Sequence, residues 1–383
     1  MARITVALGV MVTLAACATP VAPTHPPRSD GYQLAAHAAV TEVDYHFETR
    51  DGQTLVAKLT LPERAQPRLP VVIFIGGSGS WDSNYARLNA AKEISFVLPV
   101  PELAKQAARS GLAFVRYQKR GVSDPGGQIT EQWKTAQLTN LLEDLRQLLA
   151  KVKADPRLDG TRIALVGHSE GTMLASWVGA SDASVKAYVF MGLVRRNLKE
   201  VFQYQLVTRN GNLLFAWADI KPADARLDAK EIEAASKKGM AFGNWRTFDR
   251  DRDGKLSKSE YLDLLEASYR DWIRKIEASK PEQLVSGNGS PAGWFQEHFR
   301  HETVGETWSK LQAPVLVIQG KSDTNTPFKT EAEPFADMLA ARRHRDHRVV
   351  GLNGLDHWFK DQQGHSQAEK AFALLVPWLR QRL

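Results

Sequence analysis

Short apolar runs alternate with longer amphipathic stretches along most of the chain. The apolar runs occupy 71–75, 112–117, 162–167, 187–192, 315–320 and 347–352. Compact runs of this kind are typical of strands that are buried on both faces of a parallel sheet. Six of them, spaced by helical stretches, predict a sheet in which successive strands are joined through helices.

Two further features, a hairpin and an amphipathic helix, complete the predicted fold. Segments 41–49 and 54–62 alternate apolar and polar residues around a turn at 50–53, which predicts a hairpin. Segment 138–154 has a helical period, because its leucines at six positions form one stripe. The whole pattern predicts an α/β fold, with a mostly parallel, mixed eight-stranded sheet and helices on both of its faces.

One interval interrupts the alternation of strands and helices. From 195 to 313 the sequence is helical, charged and tryptophan-containing, and it has no convincing strand. An insertion late in a doubly wound sheet predicts a helical cap over the strand ends, where such sheets bind their ligands. The sheet is then built from two parts of the chain, 39–194 and 314–383.

The first 38 residues have the pattern of an export signal and a tether. Residues 1–16 combine a basic residue with a short apolar segment, and residues 17–38 are rich in proline. The end of the signal, Leu14-Ala15-Ala16-Cys17, resembles the lipobox of bacterial lipoproteins. That resemblance implies a lipid on Cys17 and a periplasm-facing place in the cell envelope. Ala18 stands where a retention aspartate often lies, which favours the outer membrane over the inner. The alternative is a plain signal peptide and a soluble product.

Composition argues against a nucleic-acid-binding protein and against a fold held together by disulfides. The formal charge of +7 is spread over 383 residues without a basic block, so no nucleic-acid partner is expected. Cys17 is the single cysteine, so disulfides within the chain cannot hold the fold together. No obligate protein partner is evident either. The N-terminal lipid is therefore the predicted contact with a membrane.

A serine between two glycines is the first candidate for chemistry. Gly167-His168-Ser169-Glu170-Gly171 follows the apolar run 162–167 and precedes a helical stretch of small residues. Strand, sharp turn and helix are the context that makes G-x-S-x-G a nucleophile elbow. Side chains at Gly167 and Gly171 are expected to clash with the neighbouring helix and strand. The motif therefore predicts Ser169 as a nucleophile.

A serine nucleophile requires a base, an orienting acid and donors for an oxyanion. Asp323 follows the run 315–320 and His357 follows the run 347–352, which is the order that an elbow of this kind predicts. The simpler alternatives are a turn-capping aspartate and a packed or exposed histidine. The predicted oxyanion donors are the backbone N–H groups of Glu170 and Ser78, with Gly77 as the next candidate. A merely flexible glycine turn is the alternative for 76–82.

These segments together resemble the α/β-hydrolase superfamily. The resemblance is carried by FIGGSGS, RYQKRGVS, DPRLDGTRIALVGHSEG, PVLVIQGKSD and LDHWF, and is greatest to serine esterases similar to dienelactone-hydrolase and prolyl-oligopeptidase-type domains. Relatives usually have histidine where this chain has Gly76 and aspartate where it has Gln118. These departures affect the subfamily and the substrate rather than the chemistry. For Arg116 and Arg120 a structural role is expected.

A second motif lies inside the predicted insertion. Residues 249–260 fit the EF-hand calcium-loop pattern, with oxygen ligands predicted from Asp249, Asp251, Asp253, the Lys255 carbonyl and Glu260, and a water-bridging Ser257. Residues 220–231 have a degenerate form of the same register, with acids at 224, 228 and 231. The alternative is an acidic loop in solvent. Ca²⁺ is thus the predicted cofactor, and no organic cofactor is expected.

The sequence therefore predicts an enzyme that cleaves small carboxylic esters through an acyl-enzyme on Ser169, with a calcium-stabilised cap. A serine peptidase or aminoacyl hydrolase of the same fold is the alternative within enzymes. The alternative outside enzymes is a non-catalytic surface lipoprotein that binds calcium.

Overall fold

The computed structural model describes residues 39–63, 68–89, 92–219, 224–237, 245–285 and 289–383. Within these residues the chain divides into two compact units. One unit is Leu198–Phe299, and the other contains 39–197 together with 300–383. The predicted signal, the tether and Cys17 lie outside the described residues.

The larger unit is built on an eight-stranded sheet. Its strands are β1 Val40–Asp44, β2 Ala57–Pro62, β3 Leu69–Ile75, β4 Ala113–Tyr117, β5 Leu158–His168, β6 Val185–Met191, β7 Val315–Gly320 and β8 His347–Leu352. They lie in the order β1-β2-β4-β3-β5-β6-β7-β8. β2 runs antiparallel to both of its neighbours, and all other neighbouring pairs are parallel. The mixed, mostly parallel sheet that the sequence predicted is confirmed.

The strand positions follow the hydrophobic runs closely. β7 and β8 occupy the predicted residues, and β5 begins four residues earlier than its run at 162. The predicted hairpin is also present. Phe47–Glu48 pairs antiparallel with Thr54–Leu55 next to the turn, and further from the turn β1 pairs antiparallel with β2. Apolar runs locate these strands well because the central strands are buried along nearly their whole length.

Helices connect the strands of the sheet from β3 onward. The helices are α1 Val100–Arg109, α2 Leu138–Ala154, α3 Glu170–Gly179, α4 Leu198–Gln203, α5 Asn210–Ala218, α6 Ala229–Lys237, α7 Lys258–Ala278, α8 Ala292–Arg300, α9 Val304–Thr307, α10 Ala332–Ala341 and α11 Ala368–Arg380. A run of six helices, α4 to α9, lies between β6 and β7. α2 has the predicted bounds, and its six-leucine stripe is buried. Among the described residues, none of the helices combines the length and the apolarity that crossing a bilayer requires.

The sheet of the larger unit is covered on both faces. α1 and α11 pack in one apolar cluster with Ala164 and Val166 of β5. Ile163 and Leu165 point to the opposite face, because side chains alternate along a strand, and both are fully buried. α2 and α3 contact β5 and lie outside that cluster, so they cover this second face. The core thus fixes β5, the strand that leads to Ser169, from both sides.

The smaller unit is helical, with short paired strands. A π-helix at Tyr204–Arg209 joins α4 to α5, and Phe202 packs against Trp272, Trp294 and Phe295. Two-residue strands Arg226–Leu227 and Leu256–Ser257 pair antiparallel. Leu227 and Leu256 belong to a small core formed with α5 and α6. Within its described residues, this unit has helices and two-residue strands and no longer strand.

Candidate active site

Ser169 lies on a strained turn between β5 and α3. Its backbone has φ 55° and ψ −124°, a left-handed conformation that L-residues other than glycine seldom adopt. Its N–H donates to the carbonyl oxygen of Met191 at 2.9 Å, and the Thr172 hydroxyl donates to its carbonyl oxygen at 2.7 Å. These hydrogen bonds hold the strained turn in place, as a nucleophile elbow requires.

The two glycines of the motif are required by close approach. A Cβ atom on Gly167 would lie 2.3 Å from the carbonyl oxygen of Gly171, at the start of α3. A Cβ atom on Gly171 would lie 2.0 Å from the carbonyl oxygen of Ile75 in β3. The predicted clashes with helix and strand are therefore confirmed.

Asp323 follows β7 and is 3% exposed. Its Oδ1 accepts the backbone N–H groups of Asn325 at 2.7 Å and Thr326 at 2.8 Å. Its Oδ2 accepts the Thr326 hydroxyl at 2.9 Å and Nδ1 of His357 at 2.7 Å. The two backbone donors and the hydroxyl fix the orientation of the carboxylate. One lone pair thus remains directed at the imidazole of His357.

His357 follows β8 and is 4% exposed. Its loop is joined to the Asp323 loop, because Lys321 N–H donates to Leu352 and Ser322 N–H donates to Leu355 at 2.8 and 2.9 Å. The ring lies over Gly192, where an added Cβ would be 2.9 Å from Cε1 of His357.

This position brings the histidine close to the backbone contact of Ser169. Gly192 directly follows Met191, whose carbonyl accepts the N–H of Ser169. Because Nδ1 of His357 is paired with Asp323, Nε2 is the ring nitrogen that remains for a hydroxyl.

The loop after β3 runs directly against Ser169. A Cβ atom on Gly77 would lie 2.9 Å from Cβ of Ser169, so only glycine permits this approach. The Gly77 N–H donates to the hydroxyl of Tyr85 at 2.9 Å, so it is not directed at a substrate. The N–H of Ser78 has no acceptor among the described residues. Glu170 begins α3, and its buried carboxylate pairs with Lys119.

Sequence reasoning missed three side chains of this site. The Thr326 hydroxyl contacts both Asp323 and His357, and its place three residues after an aspartate was a local signal for such a contact. Tyr85 and His168 hydrogen-bond to each other at 2.9 Å. No local pattern reveals that pair, because 83 residues separate its members.

Burial controls the ionisation of these two side chains. Removal from water lowers the pKa of His168 well below its ordinary value, and the nearby His357 lowers it further. Burial likewise raises the pKa of the Tyr85 phenol. Both groups are therefore neutral at neutral pH.

The arginines beside the site have structural partners, as expected. Arg116 is buried and donates to Glu42 at 2.7 Å and to Thr60 at 3.1 Å. Arg120 makes a two-pronged contact with Asp144 of α2 at 2.5 and 2.8 Å. Hydrogen bonding to Arg120 lowers the pKa of Asp51 to about 2. Arg120 thus joins the hairpin turn to α2.

The predicted calcium loop brings three of its acids together. Asp249, Asp251 and Asp253 each offer a carboxylate oxygen within 4.8 Å of the others. Two Ca²⁺ ligands on opposite sides of the ion are about 5 Å apart, so this spacing fits a calcium shell. The three aspartates lie in the smaller unit and are half-buried or exposed.

The Glu260 carboxylate and two of the three aspartates have other partners in the structure. Glu260 accepts N–H groups of Arg250 at 2.6 Å and Ser257 at 2.9 Å, and forms a capping box that begins α7. Lys255 extends its ammonium to Asp224 at 3.2 Å. Arg226 contacts Asp251 and Asp253 through its guanidinium. A bound cation would have to displace Arg226 and recruit Glu260.

Solved structures share this fold at low sequence identity. A hypothetical protein from Pseudomonas aeruginosa has a TM-score of 0.52 at 14% identity, over 94% of this chain and 100% of its own. Acylaminoacyl peptidase from Pyrococcus horikoshii has a TM-score of 0.53 at 12% identity, over 91% of this chain and 43% of its own. A putative dienelactone hydrolase from Klebsiella pneumoniae has a TM-score of 0.48 at 14% identity, over 90% of this chain and 99% of its own. The first two similarities show a shared fold alone.

Sequence comparison identifies the family. No curated protein matches the chain. A family model described as "Alpha/beta hydrolase family" matches residues 72–363, which is well over half of the chain and includes Ser169, Asp323 and His357. The chain belongs to the alpha/beta hydrolase family.

Proposed function

We propose that this protein is a serine hydrolase that cleaves carboxylic esters with Ser169, His357 and Asp323 as its catalytic triad. One observation carries the proposal. Ser169 is held at φ 55° by a hydrogen bond to the carbonyl of Met191. The buried His357–Asp323 pair lies over Gly192, which directly follows Met191. A strained serine and an oriented imidazole, brought together through the Met191–Gly192 backbone, are the components of a hydroxyl nucleophile and its general base.

The proposed reaction forms and then hydrolyses an acyl-enzyme. Nε2 of His357 takes the Ser169 proton as Oγ attacks the ester carbonyl carbon, and the imidazolium then gives this proton to the leaving alcohol. Asp323 stabilises the imidazolium through its hydrogen bond to Nδ1. Water attacks the acyl group in the second step with the same base, and releases the acid and the free serine.

Two backbone amides are proposed to stabilise the oxyanion. The N–H of Glu170 lies at the N-terminus of α3, where the helix dipole favours negative charge. The N–H of Ser78 follows Gly77, whose backbone lies against Cβ of Ser169. Removing one such donor typically lowers kcat by about 10²–10³-fold.

Labelling with a fluorophosphonate tests this function. We expect one phosphonyl adduct on Ser169 of the native protein, identified by peptide mass spectrometry, because only an activated serine reacts. Ser169→Ala should abolish the adduct and lower ester turnover by about 10⁴–10⁶-fold. Ser181→Ala, which removes a hydroxyl from the end of α3, is the matched control and should label normally. An unlabelled native protein would contradict the proposal.

The choice of esters over peptides is tested on the same preparation. An amine leaves only after it is protonated, whereas an activated alcohol leaves readily, so amides demand more of the acid step. We expect short p-nitrophenyl esters to be hydrolysed much faster than peptide anilides. Faster hydrolysis of anilides would replace the esterase by a peptidase.

We also propose that the loop 249–260 binds Ca²⁺ as a structural ion. Asp249, Asp251, Asp253, the Lys255 carbonyl and Glu260 would supply oxygens, with Ser257 acting through water. The spacing of the three aspartates supports this assignment. Leu227 pairs with Leu256, and each is the eighth residue of its twelve-residue window, which supports an EF-hand-like pair with 220–231. Residues 220–223 lie outside the described residues.

We further propose that the protein is anchored in the bacterial cell envelope by a lipid on Cys17, facing the periplasm, with the outer membrane favoured. The support is the sequence around Cys17, where the only cysteine follows a short apolar segment that ends in small residues. More than one acyl chain on this residue would give stable anchoring.

A further inference from the structure

A buried line of hydrogen bonds passes beneath Ser169. The N–H of Gly77 donates to Oη of Tyr85 at 2.9 Å, and Oη is 2.9 Å from Nδ1 of His168. Nε2 of His168 is 3.0 Å from the carbonyl oxygen of His357. The line therefore joins the loop after β3, which carries the proposed oxyanion donor Ser78, to the backbone of the proposed base.

The direction of each hydrogen bond follows from the two ends of the line. The His357 carbonyl can only accept, so Nε2 of His168 must carry a proton. Burial keeps the His168 ring neutral by lowering its pKa, so Nδ1 has no proton and must accept. The Tyr85 hydroxyl then donates to Nδ1, and its oxygen accepts the N–H of Gly77. Only one arrangement of protons satisfies all three contacts.

The surrounding residues shape a place for the Tyr85 ring. A Cβ atom on Gly76 would lie 2.8 Å from Cε2 of Tyr85, so the ring occupies the space that a side chain at 76 would need. The ring is held edge-on by Phe74 and Trp81, with centroids 5.3 and 5.1 Å away. Tyr85 itself has φ 60°, which a non-glycine residue adopts only when its surroundings enforce it. The position of the Tyr85 ring therefore requires glycine at 76.

We propose that Tyr85 and His168 are positioning residues that fix the oxyanion loop and the His357 backbone relative to Ser169. This inference rests on the proposed function. Tyr85 holds the Gly77 amide away from the substrate, which leaves the next amide, Ser78, to meet an oxyanion. His168 holds the carbonyl of the residue whose imidazole acts as base. Neither side chain touches the reacting atoms, so each acts through the group that it holds.

The inference predicts a specific kinetic effect. Misplacing a catalytic group by about 1 Å can cost 10²-fold in rate. Tyr85→Phe keeps the ring and removes the hydroxyl, so kcat for a short ester should fall about 10- to 100-fold with KM nearly unchanged. His168→Gln retains a donor for the His357 carbonyl, and His168→Asn retains an acceptor for Tyr85. Each should lose less activity than His168→Leu, which loses both.

The experiment compares these variants in the purified full chain. Tyr188→Phe is the matched control, because Tyr188 is a buried tyrosine of β6 outside the site, and its kcat should stay within twofold of the native value. Thermal melts check folding. In native protein at neutral pH the ¹⁵N NMR shifts of His168 should show the Nε2–H form. Tyr85→Phe combined with His168→Leu should lower kcat by less than the product of the two single losses, because the hydroxyl of Tyr85 depends on Nδ1 of His168 for its position.

The outcomes separate this inference from the proposed function. Native protein that labels at Ser169, with Tyr85→Phe folded and within twofold of native kcat, would overturn the positioning role alone. A rise in KM at constant kcat would also overturn it, because it would indicate a role in substrate binding. An unlabelled native protein would overturn both proposals. An Nδ1–H tautomer at His168 would overturn the assigned directions.

Discussion

Ser169 illustrates how a single residue is kept in an unfavourable conformation. A non-glycine residue in the left-handed region costs about 1–3 kcal/mol when the surrounding structure enforces it. The N–H of Ser169 and the hydroxyl of Thr172 supply the local hydrogen bonds, and Gly167 and Gly171 remove the clashes. The strain is thus offset by one contact with the neighbouring strand β6, through Met191, and one with the first turn of α3, through Thr172. Tyr85, at φ 60°, is held by contacts that come from distant segments of the chain.

We expect the buried His168 side chain to make the free energy of unfolding depend on pH. Its folded-state pKa is depressed by burial, so below about 6.5 the unfolded chain binds a proton that the folded chain refuses. The stability contributed by this residue is complete above that pH and is lost as the pH falls below it, by roughly 1 kcal/mol per pH unit. His168→Gln cannot bind the proton. The melting temperatures of native protein and variant should therefore converge by about 2–4 °C between pH 7.5 and 5.5.

The control for this measurement is His46→Gln, at an exposed position of the hairpin. The difference in melting temperature between this variant and the native protein should be the same at pH 7.5 and at pH 5.5. A constant difference between native protein and His168→Gln would show that His168 is not held neutral.

Elements position the site through their ends. β5 ends at His168 and α3 begins at Glu170, so Ser169 is the single residue between a strand and a helix. In the smaller unit, the paired strands Arg226–Leu227 and Leu256–Ser257 join two loop regions of the chain. The second strand runs directly into the capping box of α7. The acidic loop is therefore fixed at its C-terminal end by regular structure.

Calcium binding by this loop is a prediction about that element. Thermal unfolding in millimolar Ca²⁺ should occur at a higher temperature than in chelator, since a ligand at about 100 times its Kd adds about 2.7 kcal/mol. Asp249→Ala should abolish the difference, because it removes one of the three clustered carboxylates. Arg226→Ala should increase affinity, because the guanidinium competes for Asp251 and Asp253.

Asp263→Ala is the matched control for calcium. Asp263 is an exposed acid of α7 that pairs with Arg250 and lies outside the loop. Its calcium-dependent shift should equal that of the native protein. Equal melting temperatures of native protein in calcium and in chelator would remove the metal from the proposal.

In the larger unit, the sheet gathers the site from distant parts of the sequence. Ser169 follows β5, Asp323 follows β7, His357 follows β8 and Gly77 follows β3. These four strands are parallel, so their carboxyl ends meet at one edge of the sheet. The unit Leu198–Phe299 is inserted between β6 and β7. A long insertion at this point leaves the strand order intact, because it replaces one connection between neighbouring strands.

The location of the whole molecule is tested at Cys17. With a lipid on this thiol, the protein should sediment with envelope membranes and partition into detergent. Cys17→Ser should move it to the soluble fraction, because no thioether to a diacylglyceryl group can form. Ser29→Ala, in the same predicted tether, should stay with the membranes. Native protein found only in the soluble fraction would favour the plain signal peptide.

The strands, the candidate elbow and the order of the proposed triad could all be predicted from the amino-acid sequence. These features follow from hydrophobic period, from local turn chemistry and from the covalent order of the strands, all of which are written along the chain. Asp323 and His357 could be predicted because parallel strands bring their following loops to one edge.

The contacts between side chains and backbone groups at that edge could be seen only in the folded structure. Tyr85 and His168 are 83 residues apart, and their hydrogen bond depends on how the loop after β3 folds back under the elbow. The same packing turned the Gly77 amide away from the proposed oxyanion position. Likewise, whether Glu260 faces a metal or caps α7 depends on local competition for its oxygens, which the loop pattern does not encode. Contacts of this kind arise from three-dimensional packing, for which a single sequence has no periodic signal.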